Sequence, residues 1–294
     1  MAKMPAATVV VSTAVVRSLL LQQRPDLAHL HLKAVSNGWD NAIFRLGTEL
    51  AVRLPRRPEA VPLILHEQLY LPDVAERSPT PVPAPVHAGR PSPNFPWPWS
   101  IVRWIEGTPA VDIDPADRRE AAEDLASFVA SVNIPAPADA PINPFRGVPL
   151  RARSTTVLER LADGRRYPQA ADLAAMWAMA LDAPDWSGPP LWIHGDLHPA
   201  NVLLSSDGSL AGVVDFGDIG AGDPAVDLAV AWLMFDDGGR QRFIAAFDGS
   251  VDGMTWVRAR GWAVALSAAM LSNSDDNPQM FSVGEFGLRQ VLSG

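Results

Sequence analysis

Apolar residues recur with a period of two early in the chain and with helical spacing later, and this change of rhythm restricts the architecture more than any other feature. Asn41-Ala42-Ile43-Phe44-Arg45-Leu46 and Leu50-Ala51-Val52-Arg53-Leu54 read as two strands joined by a tight turn at Gly47-Thr48. Leu30 to Val35 is expected as the strand before them, Thr8 to Leu21 as an opening helix, and Pro62 to Glu76 as a helix packed on the sheet. Eight prolines between Pro79 and Pro98 exclude a central strand there, because proline cannot donate to a ladder; this part is edge, turn and connector leading into a strand at Ser100 to Trp104. From Asp114 the pattern turns helical. Asp114-Pro115 opens a helix to about Val132, and further helices are expected at Thr155 to Leu161, Ala170 to Leu181, Pro224 to Phe235, Arg240 to Phe247 and Thr255 to Leu271. Short strands at Leu191 to Ile193, Val202 to Leu204 and Gly212 to Val214 interrupt them. A small sheet first and helices afterward predicts an α+β chain of two lobes, residues 1–104 and 105–294, with the boundary near Trp104 to Thr108.

The chain's 294 residues suffice for two lobes with cores of their own. A net charge of -9 argues against nucleic acid as a partner and favours a cationic small substrate. There is no cysteine, so disulfides, thiolate metal sites and thiol nucleophiles are excluded. The apolar patch at Val9-Val10-Val11 is too short for a signal-peptide core, and no apolar run approaches a membrane span; a cytoplasmic protein without membrane contact or an evident obligate protein partner is expected. Lysine occurs only at Lys3 and Lys33.

The chemistry is concentrated in His194-Gly195-Asp196-Leu197-His198-Pro199-Ala200-Asn201 and, fourteen residues after Asn201, Asp215-Phe216-Gly217. Phosphoryl transfer needs a carboxylate to take up the acceptor hydroxyl's proton and oxygen ligands for the Mg²⁺ that carries the nucleotide phosphates. Asp196 and Asn201 have the spacing of the catalytic Asp and metal-binding Asn in the H-R-D-x-x-x-x-N loop of protein kinases, and Asp215-Phe216-Gly217 repeats their metal-binding triplet. Mg²⁺ takes few protein ligands, so Asn201 and Asp215 suffice. Gly195 and Pro199 break any helix that would bring His194 and His198 to one metal. A structural role is expected for both, His194 bracing the loop, while His198, nearer the base, is also a candidate to touch substrate.

Through these residues, together with Val213-Val214-Asp215-Phe216-Gly217-Asp218 and Gly222-Asp223-Pro224-Ala225-Val226-Asp227-Leu228-Ala229, the chain resembles the aminoglycoside phosphotransferase family of small-molecule kinases. The resemblance implies a protein-kinase-like fold, a catalytic Asp196, Mg²⁺ on Asn201 and Asp215, ATP or GTP as co-substrate, and an Asp223 to Asp227 segment that anchors the following helix. Asp223 before Pro224 also reads as a helix cap, and Asp227 as a first-turn charge suited to the helix dipole.

Protein kinases place a strand lysine on the nucleotide phosphates and pair it with a helix glutamate. No lysine is available at that place. Alternation puts Arg53 and the small Ala51 on one face of their strand, so Arg53 is the expected substitute, with Ala51 leaving room for the purine and Glu67 orienting the guanidinium. Ser36-Asn37-Gly38, between the first two strands, is the candidate phosphate loop, and Ile101, Val102 and Arg103 are the candidate hinge whose backbone meets the base. On the acceptor side the acidic pairs Asp236 with Asp237 and Asp275 with Asp276 are candidates to hold a polycation; caps and solvated charges are the plainer reading. Trp232, Phe235, Trp256 and Trp262 offer an apolar alternative. The expected activity is transfer of a γ-phosphate to a hydroxyl of a small molecule, an aminoglycoside or related antibiotic, with a catalytically weak nucleotide binder or a metabolite kinase as alternatives.

Overall fold

The computed structural model describes residues 6–37 and 39–293. α1 (Thr13–Gln23) starts where the Ser12 side chain accepts from Val15 N. It begins five residues later than expected, because Thr8 N donates to Arg56 O at 2.9 Å and is tied to the chain just after the strand that ends at Pro55. β1 (Leu32–Asn37), β2 (Asn41–Leu46) and β3 (Leu50–Pro55) follow as an antiparallel meander, then α2 (Val61–Arg77), β4 (Pro85–Gly89) and β5 (Trp99–Arg103). The sheet order β1-β2-β3-β5-β4 leaves the proline-rich β4 at an edge, where Pro85 needs no second neighbour. One face of the sheet carries Phe44, Leu46, Val52 and Leu54 into a core with Val16, Leu19 and Leu20 of α1. The alternate face of β3 therefore turns Ala51 and Arg53 toward α2.

The larger lobe opens with β6 (Thr108–Pro109), α3 (Ala122–Val132), α4 (Ser154–Leu161) and α5 (Ala170–Asp182). Asp114 does cap, accepting from Ala116 N at 2.9 Å, yet it caps a turn and α3 begins only at Ala122. β7 (Leu191–Ile193), β8 (Val202–Leu204), β9 (Leu210–Val213) and β10 (Gly220–Gly222) form two small sheets, β10-β7 and β6-β8-β9. The expected helix Pro224 to Phe235 is broken at Ala229 into α6 (Ala225–Leu228) and α7 (Val230–Met234); every residue of both is buried, so packing on all sides overrides a single helical stripe. α8 (Asp237–Ala245), α9 (Gly253–Asn273) and α10 (Pro278–Ser293) complete the lobe.

The sequence reading did not anticipate α10. Gly284 and Gly287 depress its helix propensity, but they are what lets it lie against α9: a Cβ on Gly287 would stand 2.2 Å from Ser267 Oγ, and one on Gly284 2.8 Å from Ser267 O. Among the described residues no helix is long and apolar enough to cross a membrane.

Candidate active site

The loop between β7 and β8 carries the candidate base Asp196, and a buried carboxylate from α6 shapes it. Asp227, 1% exposed, accepts His194 N on Oδ2 at 2.8 Å and Gly195 N on Oδ1 at 2.9 Å. Asn133 Nδ2 completes the cage, donating to Asp227 Oδ2 at 3.0 Å and to Trp192 O at 2.9 Å. Burial pushes the Asp227 carboxyl above its usual range, with the surrounding N–H donors working against that shift. Asp227, expected to suit the helix dipole and to anchor its segment, also reaches back to hold the loop that carries Asp196. Asp223 caps Ala225 N at 3.0 Å and is also bound by Arg258 Nε at 2.7 Å, an ion pair buried on both sides.

His194 ties this loop to the next. Its Nδ1 accepts Asp196 N at 3.3 Å and its Nε2 donates to Val214 O at 3.1 Å, which assigns the proton to Nε2. The ring lies against Phe216, centroids 4.5 Å apart. Asp196 follows with both oxygens engaged: Arg146 Nη2 donates to Oδ1 at 3.1 Å, and His198 Nε2 stands 3.4 Å from Oδ2. His198 Nδ1 accepts Ala200 N at 3.3 Å, which leaves Nε2 as the ring nitrogen that faces Asp196. Burial raises the cost of charging Asp196, but His198 and Arg146 outweigh it and hold the carboxyl well below the ordinary range. It is therefore a carboxylate throughout the physiological range.

Asn201 Nδ2 donates to Asp196 O at 2.9 Å, which commits the amide nitrogen and leaves Oδ1 as the atom available for a cation. Asp215 has a left-handed backbone, φ 64°, a conformation that costs a non-glycine residue about 1 kcal/mol. Its carboxylate, 58% exposed, stands 3.4 Å from Arg53 Nη2. Among the described residues no three His, Asp or Glu side chains converge as a self-sufficient metal cage. Two oxygen donors at a cleft fit Mg²⁺ that arrives with phosphates and keeps its waters.

Arg53 Nη1 donates to Glu67 Oε2 at 2.7 Å, so β3 and α2 are joined by the pair expected from the sequence. Both side chains are buried. Burial pushes Glu67 up against the pull of Arg53, whereas burial of Arg53 is outweighed by Glu67 and Asp215, which raise it. We predict that Arg53→Met, which strands Glu67 without its partner, lowers stability by about 3–5 kcal/mol, and that adding Glu67→Leu recovers most of the loss; urea unfolding of the two variants checks this.

A cleft of about 540 Å³ collects these groups: Arg146, Asp196, His198, Asn201 and Asp215 line it together with Trp39 and with Leu266, Met270, Asn273, Asp276 and Met280 of the α9–α10 region. Ala51 is buried and pairs with Val102, beside Arg53. Ile101 faces the other way, into the core with α1, so any contact it makes with a nucleotide is through its backbone; Arg103 is exposed. Gly38 lies outside the described residues. Ser36 and Asn37 belong to β1 by their backbone pairing with Ile43 and Ala42, which shortens the expected loop, and their side chains are not among those described.

Three of the four acceptor-side aspartates are spoken for elsewhere. Asp236 caps α8 through Gly239 N at 3.0 Å and takes Arg119 Nε at 2.9 Å; Asp237 binds Arg240 at 2.7 Å, and Asp275 binds Arg166 at 2.8 Å. None of the three lines the cleft, whereas Asp276 does. Trp232, Phe235, Trp256 and Trp262 belong to the core of the large lobe, Trp256 packing at its margin. Arg146 and Asn133 had no signal in the sequence, since both lie in irregular chain far from the motifs; Asp218 stood within the motif without a role.

The model of the phosphotransferase enzyme family, APH, matches residues 31–262. The chain belongs to this family. Among its relatives is viomycin phosphotransferase of Streptomyces vinaceus, 29% identical over 158 residues, which are 51% of this chain and 52% of the relative. The uncharacterized protein YcbJ of Bacillus subtilis is 29% identical over 84 residues, 29% of this chain and 27% of that one. The chain thus matches about half or less of these two relatives' lengths. In three dimensions the family fold is shared with the GDP complex of aminoglycoside 2'-phosphotransferase-IIIa, at TM-score 0.66 and 17% identity, covering 96% of this chain and 99% of that one. The macrolide 2'-phosphotransferase MphH from Brachybacterium faecium superimposes at TM-score 0.57 and 20% identity over 92% and 97% of the two chains.

Proposed function

We propose that the protein transfers the γ-phosphoryl group of ATP or GTP to a hydroxyl of a small cationic antibiotic, an aminoglycoside or a basic peptide antibiotic. The observation that carries this reading is the convergence of Asp196, Asn201 and Asp215 on one cleft that is also lined by the carboxylate of Asp276. The relation to viomycin phosphotransferase and the fold shared with aminoglycoside phosphotransferases support the antibiotic class. The net charge of -9 suits a cationic acceptor and the intracellular nucleotide pool suits a cytoplasmic site of action.

In this mechanism the acceptor hydroxyl enters between Asp276 and Asp196. Asp196 accepts its hydrogen bond and then its proton, His198 and Arg146 holding the carboxylate in position. Asn201 Oδ1 and the Asp215 carboxylate would hold Mg²⁺, which offsets phosphate charge when bound. Arg53, fixed by Glu67 and directed at Asp215, extends positive charge toward the phosphates in place of a lysine.

Incubation with Mg²⁺, ATP or GTP and a panel of aminoglycosides, basic peptide antibiotics, macrolides, choline and sugars is expected to yield one phosphate mass increment on a cationic antibiotic. Phosphorylation confined to neutral or apolar acceptors would sink the acceptor class, and no product with any of them would sink the transferase reading.

A further inference from the structure

The segment between α3 and α4 passes across the catalytic side of the lobe and is pinned twice on its way. Ala221 N donates to Pro141 O at 2.8 Å and Asp223 N to Gly147 O at 2.8 Å. Between these points Asn143 Nδ2 donates to Asp218 Oδ1 at 2.8 Å, and Asn143 Oδ1 accepts Phe145 N at 2.9 Å. β10 permits the approach by being Gly-Ala-Gly: a Cβ on Gly220 would stand 2.9 Å from Pro141 O, and one on Gly222 2.5 Å from Gly147 O. The passage is therefore a docked strap with a set position, and the residue it delivers to the cleft is Arg146.

Arg146 is under-used as a structural ion pair. Only Nη2 makes a hydrogen bond among the described residues, the 3.1 Å contact with Asp196 Oδ1. Nε stands 3.8 Å from Asp218 Oδ2, beyond hydrogen-bond reach, and has no other partner among the described residues. A guanidinium carries five donors, so most of its capacity is open where Asp196, Asn201 and Asp215 also meet. Arg53, the other cation of this region, has already given Nη1 to Glu67. Asp196, Asp215, Asp218 and the incoming phosphates would otherwise place a concentration of negative charge at the point of transfer.

We infer that Arg146 is a catalytic residue that binds the γ-phosphoryl oxygens of the nucleotide while it steadies Asp196; this rests on the phosphotransfer reading above. In the reaction the acceptor O–H bond breaks and its proton passes to Asp196. The acceptor oxygen bonds to the γ-phosphorus, and the bond from that phosphorus to the β,γ-bridging oxygen breaks, its electron pair leaving on the nucleoside diphosphate. Negative charge spreads over the oxygens in flight, and a planar fork of donors beside both base and phosphorus meets that charge where a diphosphate has none.

The test compares Arg146→Gln and Arg146→Lys with the unmodified protein. Mg²⁺-dependent binding of the β,γ-imido triphosphate and of the diphosphate is measured for adenine and guanine nucleotides, with turnover on the best acceptor of the panel and thermal melting as a check on folding. Arg146→Gln is expected to lose about tenfold or more in triphosphate affinity with diphosphate affinity held within about twofold, and about 10²–10³ in kcat. Arg146→Lys is expected to regain part of both. Equal loss of the two nucleotides, or a folded Arg146→Gln variant with unchanged or raised turnover, overturns the inference while leaving the phosphotransfer reading intact. Absence of triphosphate binding by the unmodified protein overturns both.

Discussion

Asp196→Asn is expected to lower kcat by about 10²–10⁴-fold while nucleotide affinity changes little. The amide keeps an oxygen for Arg146 Nη2, which stands 3.1 Å from Oδ1 in the native pair, so that contact is retained, while the contact of Oδ2 with His198 Nε2 is lost. What is lost is the carboxylate placed to take the hydroxyl proton, since the two ring nitrogens of His198 are already oriented by Ala200 N and Asp196. Single-turnover measurement of phosphorylated acceptor, beside calorimetric nucleotide binding, separates the two quantities. Turnover at the unmodified rate would show that the acceptor is deprotonated elsewhere.

Asp227→Ala should be the most damaging single change outside the chemistry. It leaves His194 N and Gly195 N buried without the acceptors they now have at 2.8 and 2.9 Å, and frees Asn133 Nδ2 as well. At about 1–3 kcal/mol for each stranded buried donor, the expected loss is about 3–5 kcal/mol in urea unfolding, with a fall in kcat from the loosened loop even where the protein remains folded. Wild-type stability in this variant would mean that the cage is ornamental.

Most of the candidate site's geometry was legible because it is local. Asp196 and Asn201 are five residues apart on one loop, and the hydrogen bond from Asn201 Nδ2 to Asp196 O needs nothing from outside that loop. Arg53 was readable for a related reason: alternation along β3 decides its face, and the helix that follows at once supplies Glu67. Arg146 lies 50 residues before Asp196 in chain that carries no periodicity, and only the docking of that chain on β10 brings the two together. The acidic pairs failed as a guide to the acceptor side because charge in a sequence does not reveal whether an arginine has already answered it, as Arg119, Arg240 and Arg166 do for Asp236, Asp237 and Asp275. Helix breaks and α10 were missed where glycine or all-round burial hides the helical stripe.

Backbone contact between α9 and α10 has a consequence for evolution at the cleft. Two helices locked through Gly284 and Gly287 have no room to slide or to accept a bulkier residue along their seam. The far side of the cleft is thus a rigid jaw, and its shape is hard to alter by drift in the helices themselves. The short bend between them, whose Ser274, Asp276 and Asn277 line the cavity, is free of that constraint. On the proposed function, exchanging these few side chains is expected to change which acceptor is bound while Asp196, Asn201 and Asp215, carried by other elements, stay untouched.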